Sequence, residues 1–523
     1  MVTLEGTRRI DTGLVLASVG ASLIALLVAT ATLLPGVAFW DTGELQTVGP
    51  LLGTAHPTGF PTWVILGWVG SVVLQPFGEP AFRMNLLNAL CLAAGTALCV
   101  VLVHRLTGRA WLAFATGVVL ALTPIAWSIG THADAHGLHL VLSALLLVLL
   151  VDWERLERAE GGPRPGADRR LVASAVVFGL ALGNHSLVVL AVPGIVLFVF
   201  AVAPGILRRR RLVATCLVAL LGTLVVVYLE LPLRAGPFRA PLVYGRPETF
   251  VGFWYVVLGL QFGGSLTAPF SDLGTKAATL ARFAWDQLGP LALLVPVGLA
   301  AAALRRPRYT LLTAPTLAIT CWFAASYDNA DIGRYYLVPA LIALTWVAIL
   351  LDAVADSIAR AILPARLDRH GVRTGAPIVG VVVAALVLAP TVVALPARWQ
   401  AVDESGDRSA RDWLDVMLDE RVAGRDAVIL SWWSYSTPLW YAQHVEGRRP
   451  DIRIVDDRTR LDEDLGEIAD VIDANLGRRP VIVIQVDPKV LTGLSERYRL
   501  SLLPVPGPQP VYRVDAFLAS GTP

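Results

Sequence analysis

Residues 14–44 read LVLASVGASLIALLVATATLLPGVAFWDTGE: an apolar run, then at once the tetrad Asp41-Thr42-Gly43-Glu44. About 20 apolar residues in a helix cross roughly 30 Å of hydrocarbon. Carboxylates parked at a bilayer surface are costly unless they have a task. His56-Pro57-Thr58-Gly59-Phe60-Pro61 follows within the same short segment, so residues 36–61 are the first place to look for chemistry.

Composition sets the class. Of 523 residues, 55% are hydrophobic and 16% charged, with a mean hydropathy of +0.62, against roughly a quarter charged in soluble proteins. The chain reads as polytopic. Arg8 and Arg9 precede the first run as in a signal peptide, but the run is long and ends Leu-Leu-Pro-Gly without a small-residue cleavage site. It reads as a retained anchor. The net charge of +2 does not point to nucleic acid, because the charges sort by membrane side rather than pooling in one patch. Cys91, Cys99, Cys216 and Cys321 all fall in apolar runs, and no disulfide framework or metal-ligand spacing can be built from them.

Runs of spanning length occur near 13–35, 84–104, 110–128, 136–152, 211–230, 287–304, 309–326, 334–351 and 377–397. The stretch 171–204, with Asn184-His185 at its middle, reads as two short spans meeting in a polar turn. This predicts about eleven crossings, with 60–77 lying in the interface. That placement puts Arg105 and Arg109, the group from Arg155 to Arg170, Arg208 to Arg211, Arg305, Arg306 and Arg308, and Arg360, Arg366, Arg369 and Arg373 on one side. The positive-inside rule makes that side cytoplasmic. The opposite face then collects Asp41, Glu44, His56, His132, Asp134, His136, Asn184, His185, Arg234, Arg239, Asp328, Asp331 and Arg334. A transporter would bury such groups at mid-membrane in broken helices, whereas an enzyme at the outer surface gathers them as here.

From about Arg398 the texture changes. Ala427 to Ser431, Ile452 to Val455 and Val481 to Val486 read as strands, and Pro438 to Val445 and Leu461 to Leu476 as helices. Such alternation suggests a small parallel-type sheet with flanking helices. The expected organisation is therefore a mainly α polytopic membrane unit, 1–397, with residues 36–83 as its first external loop, and a small extracytoplasmic α/β domain, 398–523. No Gly-rich phosphate fingerprint opens its helices. Trp432, Trp433, Trp440 and Tyr441 could stack a sugar or form a membrane-facing belt.

The succession D-T-G-E, A-H-P-T-G-F-P, F-R-M-N-L-L-N-A, G-L-A-L-G-N-H, L-P-L-R with R-P-x-T-F, Y-D-N-A-D-I-G-R-Y-Y-L-V-P and V-E-G-R-R-P-D-I resembles a multi-span family related to the vertebrate transmembrane O-mannosyltransferase. That family sits within the GT-C superfamily of membrane glycosyltransferases. The resemblance implies a polyprenyl-phosphate sugar donor and an acidic motif in the first external loop. It places Asn184 and His185 at the donor phosphate; His56, Arg234 and Arg334 are the further donor-binding candidates, and His132, Asp134 and His136 the acceptor-binding ones. Two departures stand out. His132-Ala-Asp-Ala-His136 occupies the place of an acidic-aromatic motif, and Thr58 replaces a second proline.

Moving a sugar from a lipid phosphate to a hydroxyl needs a base for the acceptor proton and cations for the leaving phosphate. Asp41 is the expected base, and Arg234, Arg334 and His185 the expected phosphate partners. Glu44, one helical turn on, would hold the acceptor or a divalent cation. No cofactor is required outright. The expected partners are the bilayer, the polyprenyl-phosphate sugar (mannose being one candidate) and an extracytoplasmic protein or glycan acceptor. The alternative is a transporter or flippase of a lipid-linked or polar solute. Two lysines in the whole chain beside abundant arginine and alanine suggest a GC-rich bacterial genome, hence an inner-membrane location.

Overall fold

The computed structural model describes residues 11–362, 376–485, 487–507 and 509–518. Arg366, Arg369 and Arg373, three of the basic residues used for orientation, and Val486 of the third expected strand lie outside them.

Among the described residues seven helices are long and apolar enough to cross a membrane: Thr12–Ala31, Pro80–Thr107, Ala135–Glu157, Arg210–Ala235, Leu273–Arg305, Ile332–Ala361 and Val379–Val402. Pro61–Val73, Ala110–Ala121 and Ser186–Val202 are shorter apolar helices. The first four helices in chain order are α1, Thr12–Ala31, α2, Trp40–Leu51, α3, Pro61–Val73, and α4, Pro80–Thr107. At about 1.5 Å rise per residue, α3 is about 20 Å long, short of the hydrocarbon thickness. The 171–204 stretch breaks at His185, between a helix Ala167–Asn184 and a 3-10 turn Ser186–Ala191 that continues as Val192–Val202.

Helix packing follows small residues. Ala17, Ala21, Ala25 and Ala29 are buried at four-residue spacing on α1, while Leu16, Leu23 and Leu27 are exposed. In lipid, burying leucine gains little, and close backbone approach along a small-residue stripe supplies the attraction instead. One end of the bundle is tied by arginines. Arg109 bridges to Asp352 and Asp356, Arg105 meets Asp152 at 2.8 Å, Arg209 meets Glu157 at 2.9 Å and Arg308 meets Glu154 at 3.4 Å. His136, Asn184 and Arg334 lie at the opposite ends of the helices Ala135–Glu157, Ala167–Asn184 and Ile332–Ala361.

The tail forms a five-stranded sheet in the order β2-β1-β3-β5-β4, from β1, Val428–Ser431, β2, Arg453–Val455, β3, Val481–Ile484, β4, Tyr498–Leu502, and β5, Tyr512–Phe517. β1 pairs in parallel with β2 and β3, and β5 pairs antiparallel with β3 and β4, so the sheet is mixed rather than parallel. β1 and β3 are buried at every position, as a central strand covered on both faces requires. The expected Leu461–Leu476 helix is two pieces, Asp457–Asp462 and Ile468–Asn475. Asp464 at φ 53° and Gly466 at φ 78° turn the chain left-handed between them, which no helix tolerates. The second helix restarts on a Glu467/Asp470 capping box. The expected Pro438–Val445 helix begins earlier, as Trp433–Trp440, and ends in a wider turn.

Candidate active site

The approach to α2 is fixed by amides. Gln46 reaches back to accept from the Ala38 N–H at 2.9 Å and donates to the Gly36 carbonyl at 3.0 Å and to Asn85 Oδ1 at 2.9 Å. Asn85 donates to the Leu34 carbonyl at 2.9 Å and accepts from the Ala133 N–H at 2.9 Å. One turn on, Asn88 donates to the carbonyls of Ile129 at 3.1 Å and Asp134 at 2.8 Å. The N-L-L-N of α4 thus holds both acidic segments in place. Gly43 is dictated by packing: a Cβ there would collide with the Ala38 carbonyl oxygen and lie 2.8 Å from Thr437 Oγ1 of the tail.

Asp41 lies in the first turn of α2, where the helix dipole favours a carboxylate. Its Oδ2 accepts from Arg334 Nη2 at 2.9 Å, and Arg334 Nη1 donates to Asp134 Oδ2 at 2.9 Å. Asp134 caps the Ala135–Glu157 helix, and its Oδ1 accepts from the His136 ring Nδ1 at 2.8 Å. Burial alone would raise the Asp134 carboxyl, but His136 and Arg334 outweigh it and hold it well below the usual carboxylate range.

Glu44 faces another partner. One of its oxygens accepts from the His56 backbone N–H at 3.0 Å and the other from the His56 ring. Burial disfavours charging His56, yet the Glu44 carboxylate more than compensates and raises its pKa above the ordinary 6.5. Phe60 packs between His56 and His185, with ring centroids 5.0 and 5.6 Å away, and His185 lies 4.6 Å from His136. The contacts therefore close a circuit: Asp41, Arg334, Asp134, His136, His185, Phe60, His56, Glu44 and back to Asp41 along one turn of α2.

Within this circuit the carboxylates are not equivalent. The Asp41 side chain is 29% exposed, against 2% for Asp134 and 1% for Glu44, so Asp41 is the most accessible of the three. Glu44, expected to hold an acceptor or a cation, is instead consumed by His56. Among the described residues no group of three or more His, Cys, Asp or Glu converges as a metal site. His132 parts from Asp134 and His136: it pairs with Glu404 at 3.1 Å, and that carboxylate, against the effect of burial, raises its pKa.

His185 Nδ1 accepts from the Leu187 N–H at 3.2 Å, so a neutral ring carries its proton on Nε2 and offers a donor. His136 Nε2 is buried with no hydrogen-bond partner. Asn184 donates to the Ala135 carbonyl at 3.0 Å and so fixes the start of the helix that bears His136. Arg234 is spent otherwise. Its Nε donates to the Leu52 carbonyl at 2.7 Å and its Nη2 to the Leu51 carbonyl at 3.1 Å, satisfying the C-terminal carbonyls of α2 that a helix end leaves open. This ties Arg234 to the scaffold rather than to the circuit.

Sequence reasoning passed over Tyr335 and His139 and singled out Trp433 without its partner. Tyr335 stacks on His136 at 5.6 Å, Trp433 of the tail packs edge-on against His56 at 5.4 Å, and His139 lies 5.9 Å from His185. His139 carries a legible signal, three residues after His136 on the same helix. Trp433 meets His56 only through the tertiary fold.

The family model described as the Protein O-mannosyl-transferase TMEM260 N-terminal domain matches residues 41–204. Protein O-mannosyl-transferase TMEM260 of Mus musculus is 26% identical over 452 residues, covering 82% of this chain and 61% of its own length. The chain thus spans less than two thirds of that relative. A Dictyostelium discoideum protein of the same description is 21% identical over 32% of this chain and 21% of its own. Among solved structures, ArnT from Cupriavidus metallidurans bound to undecaprenyl phosphate superposes with a TM-score of 0.62 at 16% identity, covering 98% of this chain and 99% of that one. The Archaeoglobus fulgidus oligosaccharyltransferase AglB, in complex with an inhibitory peptide and a dolichol-phosphate, does so with a TM-score of 0.53 at 13% identity, over 89% and 69%.

Proposed function

Starting from an integral membrane chain with the fold of the GT-C glycosyltransferases and relatives among the O-mannosyl-transferases, we propose that it moves a hexose such as mannose from a polyprenyl phosphate to an acceptor hydroxyl at the outer membrane face. The observation that carries this reading is the ion-paired chain Asp41–Arg334–Asp134–His136 with His185 against it. It sets the most accessible of the three carboxylates beside a guanidinium and two imidazoles. In the reaction the acceptor oxygen bonds to the anomeric carbon, the carbon–oxygen bond to phosphate breaks, and the phosphate leaves with the electron pair. Asp41 takes the acceptor proton. Arg334 and His185 Nε2–H offset the charge that builds on the phosphate, as pre-aimed donors in a site shielded from water do.

An apolar route for the lipid adjoins the imidazoles. His139 borders a cavity lined by Leu146, Leu150 and Ile195. The same three residues border a larger cleft of about 550 Å³ among the Ala135–Glu157, Ala167–Asn184, Val192–Val202 and Arg210–Tyr228 helices. A polyprenyl tail lying there would leave its phosphate at the histidines. The test is to incubate the purified chain with radiolabelled polyprenyl-phosphate hexoses and candidate acceptors. Transfer that Asp41→Asn abolishes supports the reading, and uptake of label across vesicles without transfer would favour the transporter alternative.

A further inference from the structure

A second cleft, of about 120 Å³, lies between the segment 239–248 and the tail helices Trp433–Trp440 and Asp457–Asp462. Asp456 borders it. One oxygen of Asp456 caps the Asp457–Asp462 helix, accepting from the Thr459 N–H at 2.7 Å and the Thr459 hydroxyl at 2.6 Å. The other, Oδ2, is buried without a hydrogen-bond partner in a residue only 1% exposed. Buried polar atoms are nearly always paired, so such an atom calls for an explanation. Burial pushes the Asp456 carboxyl up to about 6.

Beside it, the Arg458 guanidinium lies 4.6 Å from the Tyr244 ring centroid and 5.2 Å from that of Tyr255. Asp462 holds Arg458 through one oxygen and accepts from the Gly245 N–H at 3.2 Å with the other. Arg458 Nε is likewise buried and unpartnered. The cleft thus presents an acceptor and a donor next to the aromatic walls of Tyr244 and Trp440. Glu248, Asp456, Asp462 and Glu463 offset Arg239, Arg246 and Arg458 around it, leaving no excess positive charge to draw a phosphate. A sugar ring meets these demands, because each hydroxyl both donates and accepts and the ring face packs on aromatic carbon.

The cleft shares a wall with the reaction centre. The Tyr244 N–H donates to Thr54 Oγ1 and the Thr54 N–H to the Leu242 carbonyl at 3.2 Å, two residues before His56. Resting on the transferase reading above, we propose that this cleft binds a neutral saccharide of the acceptor, so that the acceptor is a molecule already carrying a sugar.

Isothermal titration of the full chain in lipid nanodiscs with methyl α-D-mannopyranoside, methyl β-D-glucopyranoside and inorganic phosphate tests this. At least one glycoside should bind and phosphate should not. Asp456→Asn keeps the capping oxygen but turns the free acceptor into a donor, and should weaken the glycoside at least about tenfold. Val243→Trp, which fills the cleft from its rim without touching Asp456, should abolish binding, whereas Asp41→Asn should leave it intact. Binding of neither glycoside, binding of phosphate alone, or glycoside binding indifferent to both cleft variants overturns the proposal. Glycoside binding by a protein that transfers no sugar would instead retire the transferase reading and leave the saccharide site standing.

Discussion

Replacing Arg334 by lysine probes the ion-paired chain where it is most exacting. Two separate nitrogens of Arg334 reach two carboxylates on different elements, Asp134 and Asp41, each at 2.9 Å, with Asp331 at 3.5 Å. A lysine brings one nitrogen and no fork, so it can serve Asp41 or Asp134 but not both in this geometry. Losing one charge-assisted hydrogen bond costs about 1.5–3 kcal/mol, a slowing of roughly 10- to 150-fold if the bond orients the base in the transition state. Arg334→Gln goes further. It leaves Asp134, 2% exposed, with one cationic partner fewer, and breaking a buried pair costs about 3–5 kcal/mol of stability. Adding Asp41→Asn to Arg334→Gln removes the surplus negative charge and should recover part of that stability while restoring no activity. Single-turnover transfer from a radiolabelled polyprenyl-phosphate sugar gives the rate, and thermal unfolding in nanodiscs gives the stability. Transfer by Arg334→Lys within twofold of the parent, or an unfolding temperature for Arg334→Gln equal to the parent's, would refute the reasoning.

Asp41→Asn should lower turnover by about 10²- to 10⁴-fold, the range for loss of a general base, with donor binding by titration preserved; normal turnover would dismiss Asp41. Because the folded pKa of His56 lies above its ordinary 6.5, the Glu44–His56 pair contributes fully below that value and its contribution fades as pH rises through the raised one. Glu44→Gln should therefore lower the unfolding temperature most in mildly acidic buffer and least in alkaline buffer, and a gap that widens with pH would contradict the pairing. Arg234→Lys keeps the charge but loses the forked contact with Leu51 and Leu52. It should reduce thermal stability and leave the donor KM unchanged, whereas a raised donor KM at unchanged stability would return Arg234 to the phosphate.

Much of this was legible because membrane sequences expose their exceptions. Asp41, Glu44 and His56 stood out against apolar surroundings, and the break at Asn184-His185 appears where the polar pair interrupts an over-long run. Helical spacing correctly put Asp41 and Glu44 one turn apart but could not show that they serve different partners, Arg334 and His56, because partner choice is made by chains remote in sequence. The same holds for Glu404, 272 residues from His132. The arginine fork at Leu51 and Leu52 was hidden for a related reason: backbone carbonyls carry no sequence signal. In the tail, β1 and β3 are short apolar runs and were found. β4 and β5 were not, since Tyr498–Leu502 and Tyr512–Phe517 carry polar and charged residues in place of an apolar run.

The missing side chain at Gly43 has a consequence for anyone recombining these proteins. Because Thr437 stands where a Cβ would point, and Trp433 rests on His56 from the same helix, the tail is the back plate against which the helix bearing Asp41 is mounted. Exchange of residues 398–523 with a relative's would seat Asp41 against a foreign surface. The transplantable part is the tail together with residues 36–60, and chimeras cut at residue 398 alone should fold as two sound halves around a misaligned centre.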